Sequence, residues 1–158
     1  MNYSELIDKY VPADDVFLFN TGCAQKAWLL LGCRYIDEIQ MHRFAVWAPN
    51  AQSVSLVGDF NGWDPEKTPM EKHGGIWYCF ASGLNNGDLY KYCVTTSAGK
   101  TVWKSDPFAQ WSQSGVNTAS MVWTGSHIWR DEVFMRSRAG KNCFASPMSI
   151  YELHLGSW

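Results

Sequence analysis

Short runs that alternate between apolar and polar residues dominate the chain from Arg43 onward. Each run is bounded by Gly, Asn, Asp or Pro, which favour turns, and a period of two is typical of half-buried β-strands. The predicted strands lie at residues 44–47, 53–56, 76–80, 89–96, 101–104 and 118–123. About six short strands at this spacing predict a mainly β fold, an immunoglobulin-like antiparallel β-sandwich.

The first forty residues have a different pattern, with apolar residues at helical spacing. Ser4 can cap a first helix that ends before Pro12, and Thr21 can cap a second helix that continues to Leu31. We therefore expect a short helical segment over residues 1–40, placed before the sandwich.

The alternation also predicts which side chains point outward. In the predicted strand 89–96, Tyr90 and Tyr92 face the core, so Lys91 points to solvent. In the next strand Trp103 takes the outer side by the same rule. Trp63 follows an Asn-Gly pair that favours a tight turn, which would bring it near the same outer face.

Composition narrows the function classes. The nine Trp, eight Phe and seven Tyr residues are more than a small core hides comfortably, so some should form a binding surface. A formal net charge of -2 lacks the positive charge that binding to nucleic acid or an anionic membrane requires. The five cysteines lack a Cys-x-x-Cys pair and the four histidines are scattered, which predicts reduced thiols and no zinc site.

The first residues of the chain lack a signal-peptide pattern, and we expect a soluble cytoplasmic protein.

Exposed tryptophans with polar neighbours suit an oligosaccharide. The apolar C–H face of a sugar ring lies flat on an indole, while Lys, Asn and Gln side chains satisfy the hydroxyls at its rim. The candidate residues are Trp63, Trp103, Lys91, Asn61, Gln113 and Asn117. Two other interpretations stay open: the tryptophans stack the bases of a single-stranded nucleic acid, which the net charge disfavours, or they only cover the ends of the sandwich.

Four motifs then resemble one family. Residues 44–51 (FAVWAPNA), 54–63 (VSLVGDFNGW), 87–92 (GDLYKY) and 104–109 (KSDPFA) closely resemble the family 48 carbohydrate-binding module, which precedes the catalytic barrel in glycogen branching enzymes and their relatives. The N-terminal segment also resembles that of the branching enzymes, and residues 149–158 (SIYELHLGSW) resemble their first barrel strand.

The resemblance implies a set of carbohydrate-binding residues. Related modules stack sugar on the tryptophan that ends the Asn-Gly-Trp turn and on a second tryptophan just before an Asp-Pro. They also use a lysine on the preceding strand and an asparagine in a later loop. By matching position, these are Trp63, Trp103, Lys91 and Asn117. The implied partner is an α-glucan, such as glycogen, amylose or a starch-like oligosaccharide.

The resemblance also implies what the chain lacks. A branching enzyme cleaves an α-1,4 linkage and transfers the chain to a 6-hydroxyl, using carboxylates on later strands of a barrel of about 250 residues. We therefore expect no catalytic residue, cofactor or metal here, and no activity without the missing barrel. Glu152 and His154 would be scaffold residues. The expected division is a helical segment at 1–40, the module at 41–125, a linker at 126–146 and a first barrel strand at 147–158. Alternatively, the chain is a stand-alone glycogen- or starch-binding adaptor, or a purely structural domain that packs on a barrel.

Overall fold

The computed structural model describes residues 3–125, 128–141, 143–145 and 147–157. These residues divide into two compact units, one that ends at Gly125 and one that follows it. Within the described ranges, no helix is long and apolar enough to cross a membrane.

The first unit contains two antiparallel sheets. Their strands are β1 (Gly32–Ile36), β2 (Met41–Trp47), β3 (Ala51–Gly58), β4 (Glu71–His73), β5 (Ile76–Ala81), β6 (Leu89–Thr96), β7 (Thr101–Lys104), β8 (Trp111–Ser112) and β9 (Ser120–Met121). The first sheet has the order β1-β2-β5-β4, and the second has the order β3-β6-β9-β8 with β7 also paired to β6. The predicted β-sandwich is confirmed.

The main core lies between the two sheets. It is formed by apolar side chains that alternate along β2, β3, β5 and β6, among them Phe44, Leu56, Cys79, Tyr90 and Tyr92. Burial of these large side chains is the main stabilising contribution, at about 1.5–3 kcal/mol for each of the larger ones.

A buried carboxylate organises one end of this core. Asp106 lies two residues after the end of β7, and its Oδ2 accepts hydrogen bonds from the hydroxyls of Tyr90 (2.7 Å) and Tyr92 (3.1 Å). Its Oδ1 accepts one from the Phe108 N–H at 2.8 Å. Burial raises the pKa of Asp106 above its usual value, and these hydrogen bonds oppose the rise. The carboxylate thereby fixes the end of β7, the strand that carries Trp103.

Three short helices cover the outer face of the first sheet. They are α1 (Tyr3–Tyr10), α2 (Ala13–Asn20) and α3 (Ala27–Leu30). Their apolar residues form a second cluster with Ala45, Ile76 and Tyr78 of the sheet. Strand β2 is consequently buried on both faces, since Phe44 points into the sandwich and Ala45 points toward the helices.

A buried arginine joins these helices to the sheet. Arg43 of β2 donates hydrogen bonds to the carbonyl oxygens of Tyr10 (2.8 Å), Leu29 (2.6 Å) and Leu30 (3.1 Å). These carbonyls lie at the C-terminal ends of α1 and α3, where helices leave acceptors unpaired. Burial lowers the pKa of Arg43.

The structure corrects two expectations about the N-terminal segment. Thr21 does not cap the start of a helix; its hydroxyl donates to the carbonyls of Phe17 (3.0 Å) and Leu18 (3.1 Å) at the end of α2. The N-cap of α3 is Lys26. In addition, β1 lies within the segment expected to be helical and pairs with β2. The first sheet therefore begins before residue 41.

The described residues of the second unit form the helix α4 (Glu132–Ala139) and short 3₁₀ turns at Cys143–Ala145 and Leu155–Ser157. A salt bridge joins Arg136 to Glu132 at 3.0 Å on the exposed surface of α4. The described residues 147–157 form no strand, and the expected first barrel strand over 147–158 stays a prediction. A parallel barrel strand exists only with hydrogen-bonded neighbours on its sheet. Trp158 lies outside the described residues.

Candidate carbohydrate-binding site

The turn after β3 has an unusual backbone. A 3₁₀ turn over Asp59–Asn61 is followed by two residues in the left-handed region, Gly62 at φ 69° and Trp63 at φ 62°. Glycine adopts this region readily, whereas a side chain such as that of Trp63 is strained there by about 1–3 kcal/mol. The Trp63 N–H donates to the Gly58 carbonyl at 2.9 Å, which closes the turn.

The amide of Asn61 holds this turn from inside. Its Oδ1 accepts hydrogen bonds from the N–H groups of Gly58 (3.0 Å) and Trp63 (3.1 Å). Its Nδ2 donates to the Leu56 carbonyl at 2.9 Å and to the Thr68 hydroxyl at 3.0 Å. The side chain is buried. Asn61 was expected to be a polar rim residue; this is wrong, because its amide is fully used in shaping the turn.

A carboxylate ties the Trp63 ring to the neighbouring strand. The indole Nε1 of Trp63 donates to Asp59 Oδ1 at 3.0 Å, and Asp59 Oδ2 accepts the Leu89 N–H at 3.0 Å. Hydrogen bonds of the Trp63 backbone N–H and of its indole Nε1 together orient the ring. It stacks on Trp103, with ring centroids 5.7 Å apart and planes inclined by 9°.

Strand parity places Trp103 and Lys91 on the same outer face. Tyr90 and Tyr92 are buried, as predicted, and Cys93 pairs with Trp103 across β6 and β7. Trp103 is 46% exposed. Burial raises the pKa of the Cys93 thiol, and a hydrogen bond with Trp103 opposes the rise.

All four residues suggested by the resemblance line one open groove. Its volume is about 340 Å³, and its lining residues are Trp63, Leu89, Lys91, Trp103, Gln113, Val116, Asn117, Thr118 and Ala119. Lys91 Nζ donates to the Thr118 hydroxyl at 2.9 Å, which holds the loop that carries Asn117. The Gln113 N–H donates to the Ala119 carbonyl at 3.0 Å and closes the base of that loop.

Comparison with known proteins gives the family. Residues 30–109 match the family model of carbohydrate-binding module 48, the isoamylase N-terminal domain. The chain belongs to this family. The match begins near the start of β1 and covers both tryptophans of the groove.

The relatives of this module confirm the predicted resemblance to branching enzymes. The chain is 42% identical over 147 residues to the 1,4-alpha-glucan branching enzyme GlgB of Aromatoleum aromaticum, and 44% identical over 148 residues to that of Albidiferax ferrireducens. Each comparison covers 91% of this chain but only 23% and 24% of the relative, respectively. The chain thus spans about a quarter of the length of these curated relatives.

Solved structures resemble the module as well. One is a putative α-amylase from Salmonella typhimurium, with a TM-score of 0.51 and 30% identity, covering 65% of this chain and 16% of that one. Another is a pullulanase variant from Paenibacillus barengoltzii complexed with maltotetraose, with a TM-score of 0.50 and 25% identity, covering 60% and 14%.

Four residues that line the groove were not candidates from the sequence: Leu89, Val116, Thr118 and Ala119. Leu89 has the same parity as Lys91 on β6, so the strand pattern contained a usable signal for it. No comparable signal existed for Val116, and Thr118 and Ala119 fall in the predicted strand 118–123 but lie just before the shorter β9, in a loop held by the hydrogen bond from Lys91 to Thr118.

The groove offers two parallel indoles, an ammonium group and side-chain amides. This combination can hold a flat polyhydroxylated ring, with the indoles covering its apolar face and Lys91 and Asn117 reaching its hydroxyls. Among the described residues, no group of three or more His, Cys, Asp and Glu side chains could hold a metal ion.

Proposed function

We propose that this chain is the glucan-binding part of a 1,4-alpha-glucan branching enzyme of glycogen biosynthesis, and that the groove binds an α-glucan chain. The observation that carries the proposal is the convergence of Trp63, Trp103, Lys91 and Asn117 on one groove. The identity of about 40% to branching enzymes supports the choice of glucan over other sugars.

Each groove residue has a distinct role in this proposal. Trp63 and Trp103 stack on each other with their planes 9° apart, and the indole surfaces that this stack leaves open contact the apolar face of the sugar. Lys91 has three N–H donors and uses one on Thr118, so two are left for sugar hydroxyls. Because hydrogen bonds fix the turn around Trp63 before the ligand arrives, binding orders few side chains and loses little entropy.

Affinity electrophoresis in gels that contain glycogen tests the proposal. Trp63→Ala and Trp103→Ala should abolish most of the retardation of the wild-type chain, and Lys91→Met should reduce it. Trp28→Ala is the matched control, because Trp28 is 49% exposed, close to the 46% of Trp103, but lies on α3 away from the groove lining. Circular dichroism checks that each variant is folded. Equal retardation of wild type and both groove variants would refute the assignment.

We also propose that this chain does not catalyse branching by itself. The family's acid/base and nucleophile belong to a barrel several times longer than residues 147–158, the segment proposed to begin it, and residues 126–146 would be the linker. Incubation with amylose, followed by the iodine spectrum, tests this. A fall in the long-wavelength absorbance would contradict it.

A purely structural role is the second candidate. Apolar side chains on α2 and α3 are exposed, including Phe17, Leu18, Trp28 and Leu29. Such a surface fits a domain that packs against a larger partner. Under this alternative the wild-type chain migrates in glycogen gels as it does in plain gels, which also separates it from a stand-alone glycogen-binding adaptor.

A further inference from the structure

A second pair of exposed tryptophans lies outside the groove. Trp111 is on β8 and Trp123 follows β9; they are 45% and 40% exposed. Their ring centroids are 5.2 Å apart, and the planes meet at 79°. Together with Gln110 they line an open cavity of about 270 Å³. These three lining residues carry no charge, and none of them lines the proposed glucan groove.

Strand register places this pair on the same sheet face as the groove. Leu89 of β6 pairs with Met121 of β9, and Met121 pairs with Trp111 of β8, so the three side chains share one face. Leu89 has the same parity as Lys91 and lines the groove. Gln113, two residues after Trp111, also lines the groove. The two sites are therefore linked along one surface rather than placed on opposite sides of the sandwich.

The spacing between the pairs exceeds the width of one sugar ring. Trp103 pairs with Cys93, which is four residues along β6 from Leu89. Tyr90 of β6 pairs with Gly58 of β3 on one side and with Ser120 of β9 on the other. Strand β7 pairs with β6 along the same edge as β9. A rise of about 3.3 Å per residue and a strand spacing of about 4.8 Å then put the Cα atoms of Trp103 and Trp111 about 14 Å apart.

The position of Trp123 is fixed by its neighbours. The Thr124 N–H and hydroxyl donate to Asn86 Oδ1 at 2.7 and 2.8 Å, which ties this segment to the loop before β6. The backbone at Gly125 lies against the ring, because a Cβ there would be 2.1 Å from Trp123 Cζ2. The two rings are fixed by their neighbours but remain open to solvent. Such an arrangement is more typical of a preorganised binding site than of side chains that pack in a core.

We propose that Trp111 and Trp123 form a second glucose-binding subsite, and that a single α-glucan chain spans this corner and the groove. The proposal rests on the proposed function of the groove. Because the two ring planes meet at 79°, one indole face lies flat on the apolar side of a glucose unit and the other ring borders its edge, while the Gln110 and Gln113 amides reach its hydroxyls. The chain consequently prefers long glucans to short ones.

Calorimetric titration with maltotriose and maltoheptaose tests this proposal. Trp111→Ala and Trp123→Ala should weaken maltoheptaose binding by about tenfold, which is typical of losing one stacked ring, but change maltotriose binding less than about twofold. Trp103→Ala should weaken binding of both sugars. Trp28→Ala is again the matched control, and Trp111→Phe, which keeps a stacking ring, should recover part of the maltoheptaose affinity.

The outcomes separate the two proposals. If Trp103→Ala weakens both sugars while Trp111→Ala and Trp123→Ala bind maltoheptaose as the wild type does, the second subsite is refuted and the groove remains; the corner would then be a protein-contact surface. Equal losses for both sugars in the Trp111 variant would also refute it. If the wild-type chain binds neither sugar, the proposed function itself fails.

Discussion

Replacing Asn61 with alanine tests how the fold presents Trp63. The Asn61 amide makes four hydrogen bonds inside the turn, two as acceptor and two as donor. Asn61→Ala removes all four without adding bulk. Because the Trp63 N–H also donates to the Gly58 carbonyl, it keeps one partner after the change. The Gly58 N–H and the Leu56 carbonyl lose this buried partner altogether.

The cost follows from those two groups. A buried polar group left unsatisfied costs about 1–3 kcal/mol, so the loss of partners for two such groups in Asn61→Ala should lower the free energy of unfolding by about 2–6 kcal/mol. A domain of this kind has about 5–15 kcal/mol in total, so the variant should still fold. Asn61→Asp keeps the oxygen that accepts from the Gly58 and Trp63 N–H groups, but it replaces the donating Nδ2 with a second acceptor oxygen that faces the Leu56 carbonyl. We expect it to destabilise as well.

Urea denaturation followed by tryptophan fluorescence measures the stability change, and electrophoresis in glycogen gels measures binding on the same variants. Without the amide, the left-handed conformation of Trp63 loses its support, so glycogen retardation should fall even for folded Asn61→Ala. Asn117→Ala is the contrasting variant, because this exposed side chain should affect binding with a stability change within about 0.5 kcal/mol. A loss of less than about 1 kcal/mol in Asn61→Ala, with unchanged retardation, would refute the role assigned to the amide.

Three further changes test other parts of the structure. Gly58→Ala should destabilise by about 1–3 kcal/mol in urea, because its Cβ would lie 2.3 Å from the Leu89 carbonyl oxygen; an unchanged midpoint would contradict this. Burial lowers the pKa of His42, so the unfolded chain binds the proton more readily, and stability should fall as pH drops below about 6.5, less so in His42→Gln. Burial raises the pKa of Asp106 above 3.8, so the wild type should gain stability relative to Asp106→Asn as pH falls toward 4; an opposite trend would show that the carboxylate is favoured in its charged form.

The sequence predicted best what depends on local alternation. Parity on β6 and β7 placed Lys91 and Trp103 outward correctly, because a strand with one buried face leaves no freedom in side-chain direction. The Asn-Gly pair likewise located the turn before Trp63. The direction of the Asn61 side chain could not be predicted in the same way. It points inward because its amide bonds to the Gly58 N–H and the Leu56 carbonyl, and the positions of these backbone groups do not follow from the sequence pattern.

Elements that depend on distant partners were missed. Strand β1 has no clear alternation and owes its existence to pairing with β2, which also explains why the helical segment was expected to extend too far. The corner of Trp111 and Trp123 joins two strands of two residues each, too short to be read from composition. Thr21 was assigned to the wrong helix because a threonine can bond to carbonyls behind it as readily as to N–H groups ahead.

Arg43 makes the stability of the sheet and that of the preceding helices depend on each other. Its guanidinium lies where the C-terminal ends of α1 and α3 converge. The backbone carbonyls of these two helices accept the hydrogen bonds that water would otherwise accept from the charged side chain. Removing the helices would leave that charge beneath an uncovered apolar surface, and removing the charge would leave the helix ends without donors. We therefore expect a chain that starts after α3 to be less stable than one that includes the helices, because it would leave the Arg43 guanidinium without these carbonyl partners.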